Sequence, residues 1–144
     1  MEPRISIITL GVSDLERSYR FYKEGLSLPA NTSPEGGIVF FRTTGACLAL
    51  YPRERLAEDV GPGFDGRTTH KFSGITLAHN TRTKEEVDQL LDRAEQAGGK
   101  IEKPAQDTFW GGYSGYFSDP DGYLWEVAWA EMWKFNLDGS LVLE

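Results

Sequence analysis

Two stretches of this chain open in the same way. Ile8-Thr9-Leu10 and Ile75-Thr76-Leu77 are short apolar, β-branched runs, and each leads into a helix-start signature and an amphipathic segment that stops at glycine. In the first copy Ser13 and Glu16 stand at the spacing of a capping box, in which each side chain can satisfy a free backbone N–H of the first helical turn. Leu15, Tyr19, Tyr22 and Leu26 then recur at helical period, and Gly25 supplies a stop. In the second copy Thr83 and Glu86 repeat the box, and Val87, Leu90, Leu91, Ala94 and Ala97 form one apolar face before Gly98-Gly99. Internal duplication of a strand–helix unit is the economical reading, and it restricts the chain to folds built from two similar modules.

The remaining elements complete each module. A weak strand near Leu28 to Thr32 precedes two apolar runs, Ile38 to Arg42 and Cys47 to Tyr51, joined by a Thr44-Gly45 turn. With the strand Arg4 to Val12 this gives the order strand, helix, strand, strand, strand. Alternation puts Ile8, Leu10 and Val12 on one face of the first strand and Ile5, Ile7 and Thr9 on the other. The second module reads as Phe72 to Ala78, the helix, a short strand at Ile101, Gly112 to Ser118, an Asp119-Pro120-Asp121-Gly122 turn, and Tyr123 to Trp129. The expectation is one α+β domain over residues 1–144, with modules at about 4–51 and 72–130. Residues 52–71 form a short helical turn and connector. Residues 131–144, with Met132, Trp133, Phe135, Leu137, Leu141 and Leu143 around Asp138-Gly139, form an added hairpin suited to packing on the sheet or, as we expect, across a homodimer interface.

Composition narrows the partners. The net charge of -7 is spread along the chain without a block of Lys or Arg, so nucleic acid and anionic membrane surfaces are poor partners. Cys47 is the only cysteine and cannot form an internal disulfide, and neither a cationic leader nor a long apolar span is visible. These features point to a cytoplasmic location. No basic residue or helix start adjoins Cys47, which reads as a small core residue.

Three passages carry a family resemblance: LGVSDLERSYRFYKEGLSL at Leu10 to Leu28, EEVDQLLDRAEQAGGKI at Glu85 to Ile101, and WGGYSGYFSDPDGYLWEVAW at Trp110 to Trp129. In order and spacing they resemble the vicinal oxygen chelate superfamily, which includes glyoxalase I, bleomycin-resistance proteins and extradiol dioxygenases. The resemblance implies two β-α-β-β-β modules forming a curled mixed sheet around a cleft. Metal-using members place two ligands in each module, usually His or Glu, and these positions fall on Ile7, Ala49, Gly74 and Glu126 here. Only Glu126 carries a donor, whereas a catalytic divalent ion generally needs three protein ligands. A shift of one residue brings in Ile8, Leu48 or Leu50, and Ile75, which cannot bind metal either. The resemblance therefore implies a member whose metal site is lost, and no cofactor is expected.

Period-two alternation turns Ile7, Thr9, Cys47, Ala49, Tyr51, Gly74, Thr76, Leu124, Glu126 and Ala128 into the cleft. Such a lining suits a small, partly apolar molecule, which Phe41, Trp110, Tyr113, Tyr116 or Phe117 could cover by stacking; the same aromatics could equally be ordinary sheet packing. Glu126 suits a general acid or base, a partner for a cationic ligand group, or a structural carboxylate satisfied by a Tyr or a backbone N–H. His79, at a strand end, can bond substrate or exchange protons, although a single His there is more often only a hydrogen-bonding terminus. His70 reads as a loop residue. Three functions stay open at this point: a metal-independent lyase or isomerase using Glu126, a non-catalytic drug- or metabolite-binding protein, and a metal-dependent lyase or dioxygenase with other ligands.

Overall fold

The computed structural model describes residues 1, 5–62, 66–67, 73 and 75–142. Phe72, Gly74, His70 and Leu143, which the sequence assigns to a strand, the cleft, the connector and the terminal hairpin, lie outside the described residues. The chain forms two compact units, Met1–Ser73 and Gly74–Glu144, each with its own mixed sheet. The α+β class expected from the sequence is therefore what the chain adopts.

In the first unit β1 (Ile7–Val12) lies parallel to β3 (Cys47–Pro52), and β3 pairs antiparallel with β2 (Val39–Phe41). Register places Leu48 and Leu50 beside Ile8 and Leu10, so these side chains share a face with Val39 and Phe41. That face is the core: Val12, Tyr22, Val39, Phe41 and Leu50 are among its fully buried side chains. Phe41 lies 6.4 Å from the Tyr19 ring and 5.9 Å from Tyr22, both from the helical segment above the sheet.

That segment begins with α1 (Leu15–Arg20) and widens into a π-helical turn, Phe21–Gly25. Its cap is Asp14, one residue later than the expected box at Ser13 and Glu16. The Asp14 carboxylate accepts the Arg17 N–H at 2.9 Å, while the Ser13 hydroxyl accepts from the Arg17 guanidinium at 3.0 Å. A carboxylate beside the positive end of a helix out-competes a hydroxyl for that place. The segment ends with positive φ at Ser27 rather than at Gly25.

The weak strand expected near Leu28 to Thr32 is a correction. It survives as a single bridge between Ala30 and Phe41. Pro29 has no N–H to donate, and the Phe40 N–H goes to the Thr32 hydroxyl at 2.9 Å instead of to a backbone carbonyl. After β3 comes α2 (Arg53–Val60), tied to β1 where Arg53 Nε donates to the Gly11 carbonyl at 3.1 Å.

The second unit orders its strands β4-β7-β6-β5, with β4 (Leu77–Asn80) parallel to β7 (Leu124–Ala130), and β7, β6 (Gly112–Ser118) and β5 (Lys100–Asp107) antiparallel. The strand expected at Phe72 to Ala78 lies further along, because its partner β7 starts only at Leu124 and the ladder runs from Leu77 opposite Trp125 to Asn80 opposite Ala128. His79 is thus inside the strand, and Thr76 precedes it. The element expected as a short strand at Ile101 is long. It tolerates Pro104 because it is the outer strand and its register shifts around that residue.

Over this sheet lies α3 (Lys84–Gln96), opened by the expected capping box: the Thr83 hydroxyl accepts from the Glu86 N–H, and the Glu86 carboxylate accepts from the Thr83 N–H, each at 3.2 Å. Val87, Leu91 and Ala94 are buried, and Gly98 ends the helix with a φ of 102°.

The β6–β7 turn is built around buried Asp119. Its carboxylate accepts the N–H groups of Asp121 at 2.9 Å and Tyr123 at 2.8 Å, and Gly122 takes a φ of 88°. Asp119→Ala orphans both donors and is expected to cost about 2–3 kcal/mol. Asp119→Asn, which retains an acceptor oxygen, is expected to cost less. Urea unfolding of both variants checks this, and equal losses would show that the carboxylate's bonds do not set the effect.

The C-terminal segment turns back through a bridge between Phe135 and Leu141. Its aromatics pack on their own unit: Trp133 stacks on Trp110 at 5.7 Å, and the Phe135 ring lies 4.7 Å beneath the Arg82 guanidinium. Met132 and Leu137 stay exposed.

Candidate functional site

Sheet parity sorts the residues named from the sequence. In the second unit, a Cβ added to Gly115 would meet the Leu91 side chain of α3 at 2.6 Å, and the Tyr113 hydroxyl donates to Asp88 of the same helix at 2.9 Å. Tyr113, Gly115 and Phe117 therefore face α3, with Trp129, Val127 and Trp125 beside them in register. The opposite face holds Ser114 and Tyr116, with Ala128 and Glu126 directly across from them on β7, and Ala78 and Asn80 on β4.

Glu126 is half-buried on that opposite face, with Tyr116 directly across from it on β6. Loss of solvent, and then the neighbouring Glu126 carboxylate, raise the Tyr116 pKa above its ordinary value, so the phenol keeps its proton. The Lys103 ammonium stands 6.0 Å from the Tyr116 ring centroid. The result is a half-buried carboxylate beside a protonated phenol, with small neighbours of which Ser114 and Ala128 are buried. Such a carboxylate can accept or return a proton, or pair with a cationic group.

The aromatics divide between the faces. Phe117 is buried against Trp125, their rings parallel at 6.1 Å, and Tyr113 is committed to Asp88. Phe41 is buried beneath α1 in the first unit. These three, expected as possible ligand contacts, stand on helix-covered faces because each sits one residue out of phase with the face turned away from the helix. Trp110 lies in the turn before β6 and stacks on Trp133. Tyr116 shares the face of Glu126. Ser114 and Asn80, which share it too, went unnamed in the sequence; two-residue periodicity counted from Glu126 through the DPDG turn could have found Ser114, whereas Asn80 reaches the face only through the β4–β7 register.

On the first sheet Ile7, Thr9, Ala49 and Tyr51 share the face opposite α1. Ile7 keeps 51% of its surface exposed, Thr9 is exposed, Tyr51 is half-buried and Ala49 is fully buried. Thr76 is exposed ahead of β4. The Cys47 thiol donates to the Phe41 carbonyl at 3.3 Å. His79 points to the α3 side, across from Val127. Burial pushes its imidazole below the ordinary value, and the Glu86 carboxylate pulls the other way.

A divalent ion of the kind the family resemblance implies does not fit these residues. Ile7 and Ala49 have no donor atoms, and among the described residues no three His, Cys, Asp or Glu side chains converge. Among the described residues, too, no helix is long and apolar enough to cross a membrane.

Comparison with known proteins agrees with this architecture. Residues 4–127 match the family model of the Glyoxalase/Bleomycin resistance protein/Dioxygenase superfamily. A glyoxalase-related enzyme from Fulvimarina pelagi is 38% identical and superposes with a TM-score of 0.88, over 98% of each chain. The uncharacterized protein YraH of Bacillus subtilis is 32% identical over 83% of this chain and 93% of its own. The glutathione transferase FosA of Serratia marcescens is 31% identical over 83% of this chain and 76% of its own. With its duplicated strand–helix units, its DPDG turn and this match over most of its length, the chain belongs to the glyoxalase/bleomycin resistance protein/dioxygenase superfamily.

Proposed function

We propose that this chain binds a small, partly apolar organic molecule on the Glu126 face of its second sheet, without the family's divalent ion. Glu126 exchanges a proton with the bound molecule, as in a lyase or isomerase step. Tyr116 is a positioning residue. The observation that carries the reading is the register that sets Tyr116 directly across from Glu126, which puts a protonated phenol beside its carboxylate. The reading places the protein in the cytoplasm as a homodimer, with exposed Met132 and Leu137 as apolar surface for self-association.

The relative named for glutathione transfer makes glutathione and its conjugates the first compounds to test. For a compound that the parent protein turns over, Glu126→Gln is expected to leave the dissociation constant within about twofold and to lower kcat by about a hundredfold. Tyr116→Phe is expected to lower kcat less and to shift its pH profile. An unchanged kcat in Glu126→Gln overturns the acid–base role. Binding without turnover of any compound by the parent replaces the enzyme reading with a sequestering one. Stoichiometric Zn, Ni, Mn or Fe in protein purified without chelator overturns the metal-independent reading.

A further inference from the structure

The second unit carries a depression of about 430 Å³ bounded by the end of β4, the outer face of α3 and the C-terminal segment. In a chain of net charge -7 its charged lining is two arginines, Arg82 and Arg93, against the single carboxylate of Glu86, with His79 beside them. That carboxylate is committed to the helix start, accepting the Arg82 N–H at 2.7 Å and the Thr83 N–H at 3.2 Å. Leu90 and Phe135 add apolar surface.

Arg82 is held on several sides. Its N–H is bound to Glu86, its carbonyl accepts from Trp129 Nε1 at 3.0 Å, and its guanidinium lies over the Phe135 ring at 4.7 Å. A guanidinium already seated over a ring loses less side-chain freedom on binding, which favours recognition of an anion by its planar fork. Arg93 stands on the α3 surface at helical spacing from Gln89 and Leu90. The cationic pair, Gln89 and the apolar wall thus border one space.

We infer that this depression binds a small organic anion, a carboxylate or phosphate monoester group held by Arg82 and Arg93, with an apolar body against Leu90 and Phe135. It is separate from the Glu126 face, which lies across the sheet from α3.

The test is titration of the full chain with benzoate, phenyl phosphate and uncharged benzamide, followed by backbone amide NMR. Saturable shifts are expected at Arg82, Gln89 and Gly139 with either anion, and the tighter of the two identifies the headgroup. Benzamide is expected to bind at least about fivefold more weakly. Arg93→Ala and Arg82→Ala are each expected to weaken anion binding by about fivefold or more. Arg93 lies on an exposed helix face, so its variant tests the site even if Arg82→Ala disturbs the C-terminal segment. Equal affinity for benzamide, unchanged affinity in Arg93→Ala, or shifts confined to Ser114, Tyr116 and Glu126 would each overturn the inference.

Discussion

Replacing Phe41 with alanine is expected to destabilise the chain by about 3–5 kcal/mol, the range for removing a buried aromatic from a core that cannot fully collapse. Phe41 has no exposed surface, and its ring contacts Tyr19 and Tyr22 from the overlying helical segment. Its removal leaves both tyrosines facing a void beneath the helix. At the scale of this domain the loss corresponds to a fall of roughly 10 °C in Tm. Far-UV circular dichroism during urea unfolding is the measurement, with Phe40→Ala, on the other face of the same strand, as the comparison. A loss below about 1 kcal/mol, together with weaker binding of a discovered ligand, would return Phe41 to the ligand-contact role considered from the sequence.

The second large effect is expected at Gly115. A side chain there meets Leu91 Cδ1 at 2.6 Å, the Ala105 nitrogen at 2.9 Å and the Lys103 carbonyl oxygen at 2.9 Å. Leu91 could change rotamer, but the other two atoms are backbone of β5, and moving them disturbs the β5–β6 ladder. Gly115→Val is therefore expected to cost more than about 3 kcal/mol, above the usual range for overpacking. It should also speed hydrogen exchange along β5 before β7. Unchanged stability would mean that β5 can slide away from α3, contrary to the close approach at this position.

The parts of this fold that were legible in sequence are those set by local chemistry. The Thr83–Glu86 box, the Asp119 turn and the apolar period of α3 each depend on residues a few positions apart, so the local pattern is sufficient. Where two local solutions compete, the sequence misleads. Ser13 and Asp14 both can cap a helix, and only the structure shows that the carboxylate takes the place. The strand near Ala30 fails because Pro29 and the Thr32 hydroxyl take bonds out of the ladder, and β4 shifts because a strand extends only where its partner does. Facing is the hardest to read. Glu126 and Tyr116 meet because of a register between strands, and Phe41 lies one residue out of phase with Phe40, so counting along a single strand leaves the choice of face open.

The placement of the aromatics has a spectroscopic consequence. The chain has four tryptophans, and all of them, Trp110, Trp125, Trp129 and Trp133, belong to the second unit, each engaged by a stacked ring or a bond from the indole nitrogen. Emission excited at long wavelength is thus a reporter confined to one half, while circular dichroism samples both. Coincident transitions by the two probes would establish that the duplicated units unfold as one cooperative body, and separated ones would give each its own free energy without cutting the chain.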